Sequence, residues 1–142
     1  IKATENFKLG VVAATGGSVG HFKDARHFAS WFGLTPKEHS SGGTRHLGRI
    51  SKRGDRYLRM LLTHGARSVL RAASVATTAG KPVDALRQWA VGVQRRSNHN
   101  KATCALANKL ARICYATLRD QEPYGAARLS RKLERVAFAM PA

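Results

Sequence analysis

The sequence predicts a small, mainly α-helical domain, and three observations support this prediction. Apolar residues make up 43% of the 142 residues, which is enough for a hydrophobic core. Apolar side chains recur at helical spacing in several segments. Alternation with a period of two residues is weak, and residues 11–14, followed by Gly16 and Gly17, are the one short strand candidate. No apolar run approaches the roughly 18 residues of a membrane span, so no membrane partner is expected.

The first two helices are predicted from apolar spacing and from their end signals. The first covers residues 22–32, because aromatic and alanine side chains share one face and Gly33 then ends the helix, with Pro36 beyond it. The second covers residues 55–77 and begins from Asp55 as a cap. A Ser/Gly-rich basic loop is predicted to connect the two.

The remaining helices follow the same logic. The third covers residues 82–94, with Pro82 in its first turn and Trp89 as a core anchor. The fourth covers residues 100–119, with apolar side chains on one face. A short helix over residues 129–138 would complete the chain.

The charge is large and uneven. There are 25 Lys and Arg against 8 Asp and Glu, a formal net charge of +17. Residues 44–80 and residues 81–119 each carry eight basic residues and one acidic residue. A charge that served only solubility would not be so concentrated. The expected partner is a polyanion, and nucleic acid is the first choice.

Two predicted helices carry this charge as stripes, at about 100° per residue. On the second helix one face holds Arg56, Arg59, Thr63, Arg67 and Arg71. The opposite face holds Leu58, Leu61, Leu62, Gly65 and Val69, while Met60 and Leu70 intrude on the basic side. On the fourth helix one face holds Lys101, Asn108, Arg112, Tyr115 and Arg119. Solvated helix faces are the alternative, but such faces usually mix both signs of charge, so phosphate contact is favoured.

The loop over residues 37–54 is suited to close approach of a phosphate. It contains glycines that free the backbone amides, including Gly42, Gly43 and Gly48, and five basic residues. Three standard motifs fail here: a Walker loop, a Gly-x-Ser-x-Gly elbow, and a carboxylate cluster for two-metal chemistry. Composition alone leaves open that the serines only form turns.

The cysteines and histidines predict no metal site. Cys104 and Cys114 are ten residues apart in one predicted helix, about 15 Å along its axis, too far for a disulfide. Two free thiols are typical of a reducing cytoplasm. The six histidines have no metal-ligand spacing with them.

At this loop the sequence resembles a known family. The longest matching runs are Phe28-Ala29-Ser30-Trp31-Phe32-Gly33-Leu34-Thr35-Pro36, His39-Ser40-Ser41-Gly42-Gly43 and Leu47-Gly48-Arg49-Ile50-Ser51-Lys52-Arg53-Gly54-Asp55-Arg56-Tyr57-Leu58-Arg59. Shorter runs follow at residues 64–67, 100–101, 105–112 and 131–135. In this order they resemble the C-terminal transposase domain of insertion-sequence family 110, to which the pilin-gene DNA invertase is related. The resemblance covers about residues 10–140.

This resemblance implies a DNA transposase or recombinase of a mobile element. Members of the family have an N-terminal ribonuclease-H-like domain, whose four carboxylates bind Mg²⁺, and a C-terminal helical domain. A serine of the Ser-Gly motif attacks the DNA phosphodiester and leaves a covalent phosphoserine link. At least some members are guided by a structured RNA, and members act as dimers or tetramers. A bacterial, nucleoid-associated location in the cytoplasm follows from this implication.

Carried onto this chain, the resemblance identifies Ser41 as the nucleophile, with Ser40 as the alternate. His39 and His46 are candidates for a base role, with DNA contact or packing as the alternative. The residues expected to hold nucleic acid are Arg45, Arg49, Lys52, Arg53, Arg56, Arg59, Arg67, Arg71, Lys101 and Arg112. No metal or cofactor is expected on this chain, and Mg²⁺ is expected on the absent N-terminal domain.

The start of the chain departs from the family pattern. Residues 1–9 lack the expected Gly-x-Gly-Pro-type hairpin, which predicts an atypical N-terminal remnant. Residues 10–128 then form the transposase domain and residues 129–142 form a basic tail. We expect a piece of a longer protein that is inactive alone. Two alternatives remain open: a non-catalytic DNA- or RNA-binding module, and an inactive transposase remnant.

Overall fold

The computed structural model describes the backbone of residues 2–121 and the side chains of residues 9–121. It is mainly helical, as predicted. The elements in chain order are α1 (Lys2–Thr15), α2 (Ala25–Trp31), β1 (Pro36–Glu38), β2 (Leu47–Ile50), α3 (Arg56–Thr78), α4 (Ala85–Arg96) and α5 (His99–Asp120). The helix predicted over residues 129–138, and the basic tail predicted over residues 129–142, lie outside the described residues.

Capping side chains set the starts of α2 to α5. In each case the cap accepts a hydrogen bond from a backbone amide of the first turn, and the four caps are Asp24, Asp55, Asp84 and Asn98. The cap predicted at Asp55 is confirmed. The first predicted helix was placed too early, because Asp24 caps α2. Pro82 was also predicted wrongly inside a helix, since it precedes the cap of α4.

The short strand candidate over residues 11–14 was wrong, because these residues lie in helix α1. Residues 11–14 are helical, and the side chain of Val11 is buried against the core. The helix approaches α3 closely at Gly10, where a Cβ atom would lie 2.7 Å from Cδ2 of Leu58. The run of small and apolar residues is therefore explained by helix packing, which a short apolar segment does not distinguish from a strand.

Helix α5 lies at the centre of the bundle, because it packs against α2, α3 and α4. The aromatic side chains at one end of the core surround Phe28. The centre of its ring lies 4.9 Å from those of Phe22 and Phe32 and 5.6 Å from that of Tyr115. Trp89, predicted as a core anchor, is half-buried against this core and carries Lys109 Nζ 4.0 Å above its ring.

Two helix faces differ from the predicted ones. Tyr115 was placed on the basic face of α5 but is 6% exposed, and its hydroxyl donates to the Phe22 carbonyl at 3.3 Å. Leu70 was placed on the basic side of α3 but is fully buried, whereas Gly65 is exposed. The buried residues of α3 are Leu58, Leu62, Ala66, Leu70 and Ala73. At about 100° per residue they centre roughly a quarter turn from the arginine stripe, not opposite it.

The segment predicted as a loop contains a β-hairpin. Strands β1 and β2 pair antiparallel, with Pro36 opposite Ile50 and Glu38 opposite Leu47, so β2 carries one extra residue as a bulge. All the strand residues except Ile50 are exposed. Strands this short and this exposed show no alternation of apolar side chains, which is why periodicity missed them.

Backbone contacts close the base of the hairpin against α2, and residues 33–35 and 51–54 are called the neck here. The Lys52 amide donates to the Gly33 carbonyl at 3.0 Å, and the Ser51 amide donates to the Thr35 carbonyl at 2.8 Å. A Cβ atom at Gly33, where φ is +69°, would collide with the backbone of Arg53. The two segments of the neck therefore pack backbone to backbone at Gly33, with no room for a side chain there. This close packing fixes where the hairpin leaves the helical part of the chain.

Candidate functional site

The tip of the hairpin is a tight two-residue turn that presents Ser41. The amide and carbonyl of Ser41 exchange hydrogen bonds of 3.3 and 3.1 Å with those of Thr44. Gly42 and Gly43 between them have φ of +58° and +80°. Positive φ at both central residues is typical of a type I′ turn, which glycine adopts without strain. The Gly-Gly pair predicted to free the backbone thus turns the chain beside the serine.

The two adjacent serines lie on opposite faces of the hairpin. Side chains alternate along each strand, and the pairing of residue 41 with 44 and of 38 with 47 fixes which positions share a face. One surface, called the Ser40 face, carries Glu38, Ser40, Arg45 and Leu47. The other, called the Ser41 face, carries His39, Ser41, Thr44, His46 and Gly48. A Cβ atom at Gly48 would lie 3.7 Å from Cδ2 of His39, in agreement with this alternation.

A hydrogen-bond network holds Ser40. Its Oγ donates to Glu38 Oε1 at 2.7 Å and accepts from the His46 amide at 3.3 Å. The same Glu38 oxygen accepts from Arg45 Nε at 3.2 Å. The Ser40 hydrogen bond, followed by the charge of Arg45, lowers the pKa of Glu38 below its ordinary value. Glu38 is therefore a carboxylate at neutral pH and faces one of the two candidate nucleophiles.

Ser41 has a simpler environment. Among the described side chains, none forms a hydrogen bond with its Oγ, and the residue is exposed. His39 and His46 pair directly across the strands on the same face, with the His39 amide donating to the His46 carbonyl at 2.9 Å. His39 lies two residues before Ser41 on the same strand and His46 is its diagonal neighbour, so both imidazoles share the face of the serine. A serine hydroxyl is a weak nucleophile without a base or a metal.

The basic residues of the hairpin, α3 and α5 differ in how they are held. The exposed ones are Arg45, Arg49, Lys52, Arg53, Arg56, Arg67, Arg71, Lys101 and Arg112. Arg59 is half-buried, and its Nη1 donates to the Phe32 carbonyl at 3.0 Å and to the Gly54 carbonyl at 3.4 Å. Its guanidinium thus joins α3 to the neck, a structural role that spacing did not predict. Whether Arg59 also contacts DNA stays a prediction.

Part of the predicted basic surface converges where the neck, α3 and α5 meet. Burial raises the pKa of the Cys104 thiol on α5, while the nearby charges of Arg67 and Lys52 oppose that rise. Both cations, distant from each other in sequence, therefore lie near the Cys104 thiol. Arg71 lies further along: fifteen residues separate it from Arg56 on α3, about 22 Å of helix. The arginine stripe is therefore elongated along α3, and its contact with nucleic acid stays a prediction.

Within residues 9–121, no three His, Cys, Asp or Glu side chains come together in a way that could hold a metal ion. Neither Cys104 nor Cys114 forms a disulfide bond. None of the helices described here is both long enough and apolar enough to cross a membrane.

A family model for IS116/IS110/IS902 transposases matches residues 7–80, which include the whole hairpin and α3. The chain belongs to this transposase family. The family resemblance drawn from the serine loop is thus confirmed by an independent comparison.

Relatives from several bacteria extend the match beyond residue 80. The "Probable family 20 transposase" of Pseudomonas aeruginosa is 47% identical over 113 residues, covering 80% of this chain and 32% of the relative. The transposase for insertion sequence element IS1111A of Coxiella burnetii is 41% identical, and the match covers 80% of this chain and 29% of the relative. The transposase for insertion sequence element IS1328 of Yersinia enterocolitica is 39% identical, and the match covers 67% of this chain and 27% of the relative. The chain spans about a third of the length of these relatives, or less. No solved structure matches it.

Proposed function

We propose that this chain is the DNA-binding, nucleophile-bearing domain of an insertion-sequence transposase. One observation carries the proposal: the family match over residues 7–80 contains a Ser-Gly-Gly turn on an exposed hairpin whose neck adjoins the basic surface. The DNA of insertion-sequence ends and targets is the substrate of the complete protein. A guide RNA, a dimer or tetramer, and a cytoplasmic, nucleoid-associated location belong to the same proposal.

In the proposed reaction the Ser41 hydroxyl attacks a DNA phosphorus atom. A bond forms between Oγ and phosphorus, and the bond from phosphorus to a sugar oxygen breaks. The serine proton goes to a base and the departing sugar oxygen takes up a proton, so a phosphoserine and a free sugar hydroxyl result. A sugar hydroxyl of a new partner reverses the step and reseals the strand. Ser40, the neighbouring serine of the same motif, is the alternate nucleophile.

The basic residues favour this reaction electrostatically. Arginine and lysine side chains around a phosphodiester stabilise the charge that builds up on its oxygens during attack. Arg45 and Arg49 lie on the hairpin with the serines, whereas Lys52 and Arg53 lie at the neck. Activation of the serine stays with His39, His46 or a group outside this chain. Mg²⁺ held by carboxylates of a further domain would supply that activation, and the described residues offer no ligand set for it.

Serine substitutions in the complete transposase test the assignment. Ser41→Ala should abolish the covalent protein–DNA adduct that is trapped on a nicked substrate and detected by denaturing electrophoresis. Ser40→Ala should reduce adduct formation but retain it. The reverse pattern would move the nucleophile to Ser40, and an adduct that survives both substitutions would refute a serine mechanism on this hairpin.

A non-catalytic nucleic-acid-binding module is the second candidate. It is favoured by one observation: the described residues contain no group of three His, Cys, Asp or Glu side chains that could hold a metal ion near Ser41. This candidate predicts DNA or RNA binding that falls steeply with salt and is indifferent to both serines. It also predicts no adduct from any form of the complete protein, an outcome that an inactive remnant would share.

A further inference from the structure

Glu38 has an unusual position for an acidic residue in this protein. It is the only Asp or Glu between Asp24 and Asp55, a stretch that contains the serine hairpin. Its Oε1 atom receives two donors, the Ser40 hydroxyl at 2.7 Å and Arg45 Nε at 3.2 Å. A hydroxyl and a guanidinium that converge on one anionic oxygen can hold a phosphate oxygen in the same way.

The hairpin backbone sets the direction of the Ser40 hydroxyl. The His39 amide follows the strand ladder to the His46 carbonyl, but the His46 amide instead donates to Ser40 Oγ at 3.3 Å. With that amide bound to its oxygen, the hydroxyl donates its own proton to Glu38 Oε1, the atom to which Arg45 also donates. The two donors would therefore stay convergent if the Glu38 carboxylate moved away.

We propose that Ser40 and Arg45 form a seat for one phosphodiester oxygen of DNA, and that Glu38 fills this seat in the free protein. Binding of DNA exchanges the carboxylate for the phosphate. The seat is open to a large ligand, because the side chains of Arg45 and Glu38 are 70% and 49% exposed. Water and salt screen such a pair, so a phosphate with further contacts nearby can displace the carboxylate. This proposal rests on the proposed function only for the identity of the ligand as DNA.

The competing explanation is that Glu38 only braces the hairpin. The two roles predict opposite signs for the loss of its charge. If Glu38 competes with the phosphate, removing its charge strengthens DNA binding. If Glu38 braces the hairpin, removing its charge loosens the hairpin and weakens DNA binding.

The test uses Glu38→Gln, which keeps the size of the side chain and its ability to accept the Ser40 hydrogen bond. Fluorescence anisotropy with a short labelled DNA duplex gives the dissociation constant over a series of salt concentrations. Glu38→Gln should bind several-fold more tightly at low salt. The slope of log affinity against log salt should steepen by up to about 0.9, because the phosphate contact replaces the Glu38–Arg45 ion pair in the parent but is a net gain of one ion pair in the variant. Asp84→Asn is the matched control: it removes one charge at the start of α4 and keeps the cap. It should leave the slope unchanged.

A double variant completes the test. The gain from Glu38→Gln should disappear when Arg45→Gln is also present, because the seat needs both donors. Circular dichroism and thermal melting of each variant verify that the fold is retained. Weaker binding by Glu38→Gln, an unchanged slope, or an equal gain in Asp84→Asn would overturn the proposal. Equilibrium binding involves no covalent step, so the absence of a serine adduct would refute the proposed catalysis and leave the seat standing.

Discussion

Replacement of Gly54 by alanine tests the closed neck of the hairpin. Gly54 has φ of +98°, and a Cβ atom there would collide with the Trp31 carbonyl at the end of α2. Adopting this conformation costs a non-glycine residue about 1–3 kcal/mol. The collision adds to that cost, because α2 or the neck must shift and the Arg59 hydrogen bond to the Gly54 carbonyl is disturbed. We expect Gly54→Ala to lower the free energy of unfolding by about 3 kcal/mol or more.

Gly42→Ala is the matched control for this substitution. Gly42 also has positive φ, +58°, but no atom lies within 4 Å of a Cβ placed there. Only the backbone penalty of about 1–2 kcal/mol applies, and the smaller entropy of the unfolded chain offsets part of it. The expected loss is about 1 kcal/mol, so the two variants should differ by about 2 kcal/mol.

Urea denaturation and thermal melting of the 142-residue chain, followed by circular dichroism, measure this difference. At this size 1 kcal/mol corresponds to about 3–5 °C in Tm, so Gly54→Ala should melt about 6–10 °C below Gly42→Ala. Equal melting temperatures would refute the reasoning, because the steric contact at the neck would then contribute nothing beyond the backbone conformation.

Further predictions concern the helices. Leu70→Ala should lower the free energy of unfolding by about 2–5 kcal/mol, because the side chain is fully buried. Met60→Ala, at an exposed position, should lower it by less than about 0.5 kcal/mol. Equal losses in urea denaturation would contradict the observed face of α3. Arg67→Gln should reduce the salt slope of DNA binding by about 0.9 and leave the Tm near that of the parent. Arg59→Gln should instead lower the Tm, since it removes hydrogen bonds to the neck; an unchanged Tm would argue against the structural role. Cys104 should react with iodoacetamide at pH 8 more slowly in the folded than in the urea-unfolded chain, because burial raises its pKa and lowers the thiolate fraction. Peptide mapping by mass spectrometry measures the two rates. Equal rates would contradict the prediction.

Local signals predicted α2 to α5 and missed α1, and their limits are equally local. Asp55 capped the helix where the sequence placed it, since capping depends on a few neighbouring residues. The buried faces depended on how many neighbours each helix has. Because α5 is packed between three other helices, the buried arc is wide enough to include Tyr115, which an isolated helical wheel places among polar residues.

The candidate site shows a second limit. The serine motif and the basic residues of the hairpin and the neck are adjacent in sequence, so they could be predicted as a group. The separation of Ser40 from Ser41 could not be predicted, because it depends on the segment being a strand. Glu38 was missed for the same reason: it meets Ser40 only because side chains two residues apart share a strand face.

The neck separates the helical part of the chain from the hairpin segment over residues 36–50. Gly33, Thr35, Ser51 and Lys52 close the neck by backbone hydrogen bonds, which do not depend on the side chains above it. The entropy of closing a loop grows slowly with its length, about 0.6 kcal/mol for each doubling. The segment over residues 36–50 can therefore be lengthened, shortened or exchanged for another turn while the helices below keep their packing.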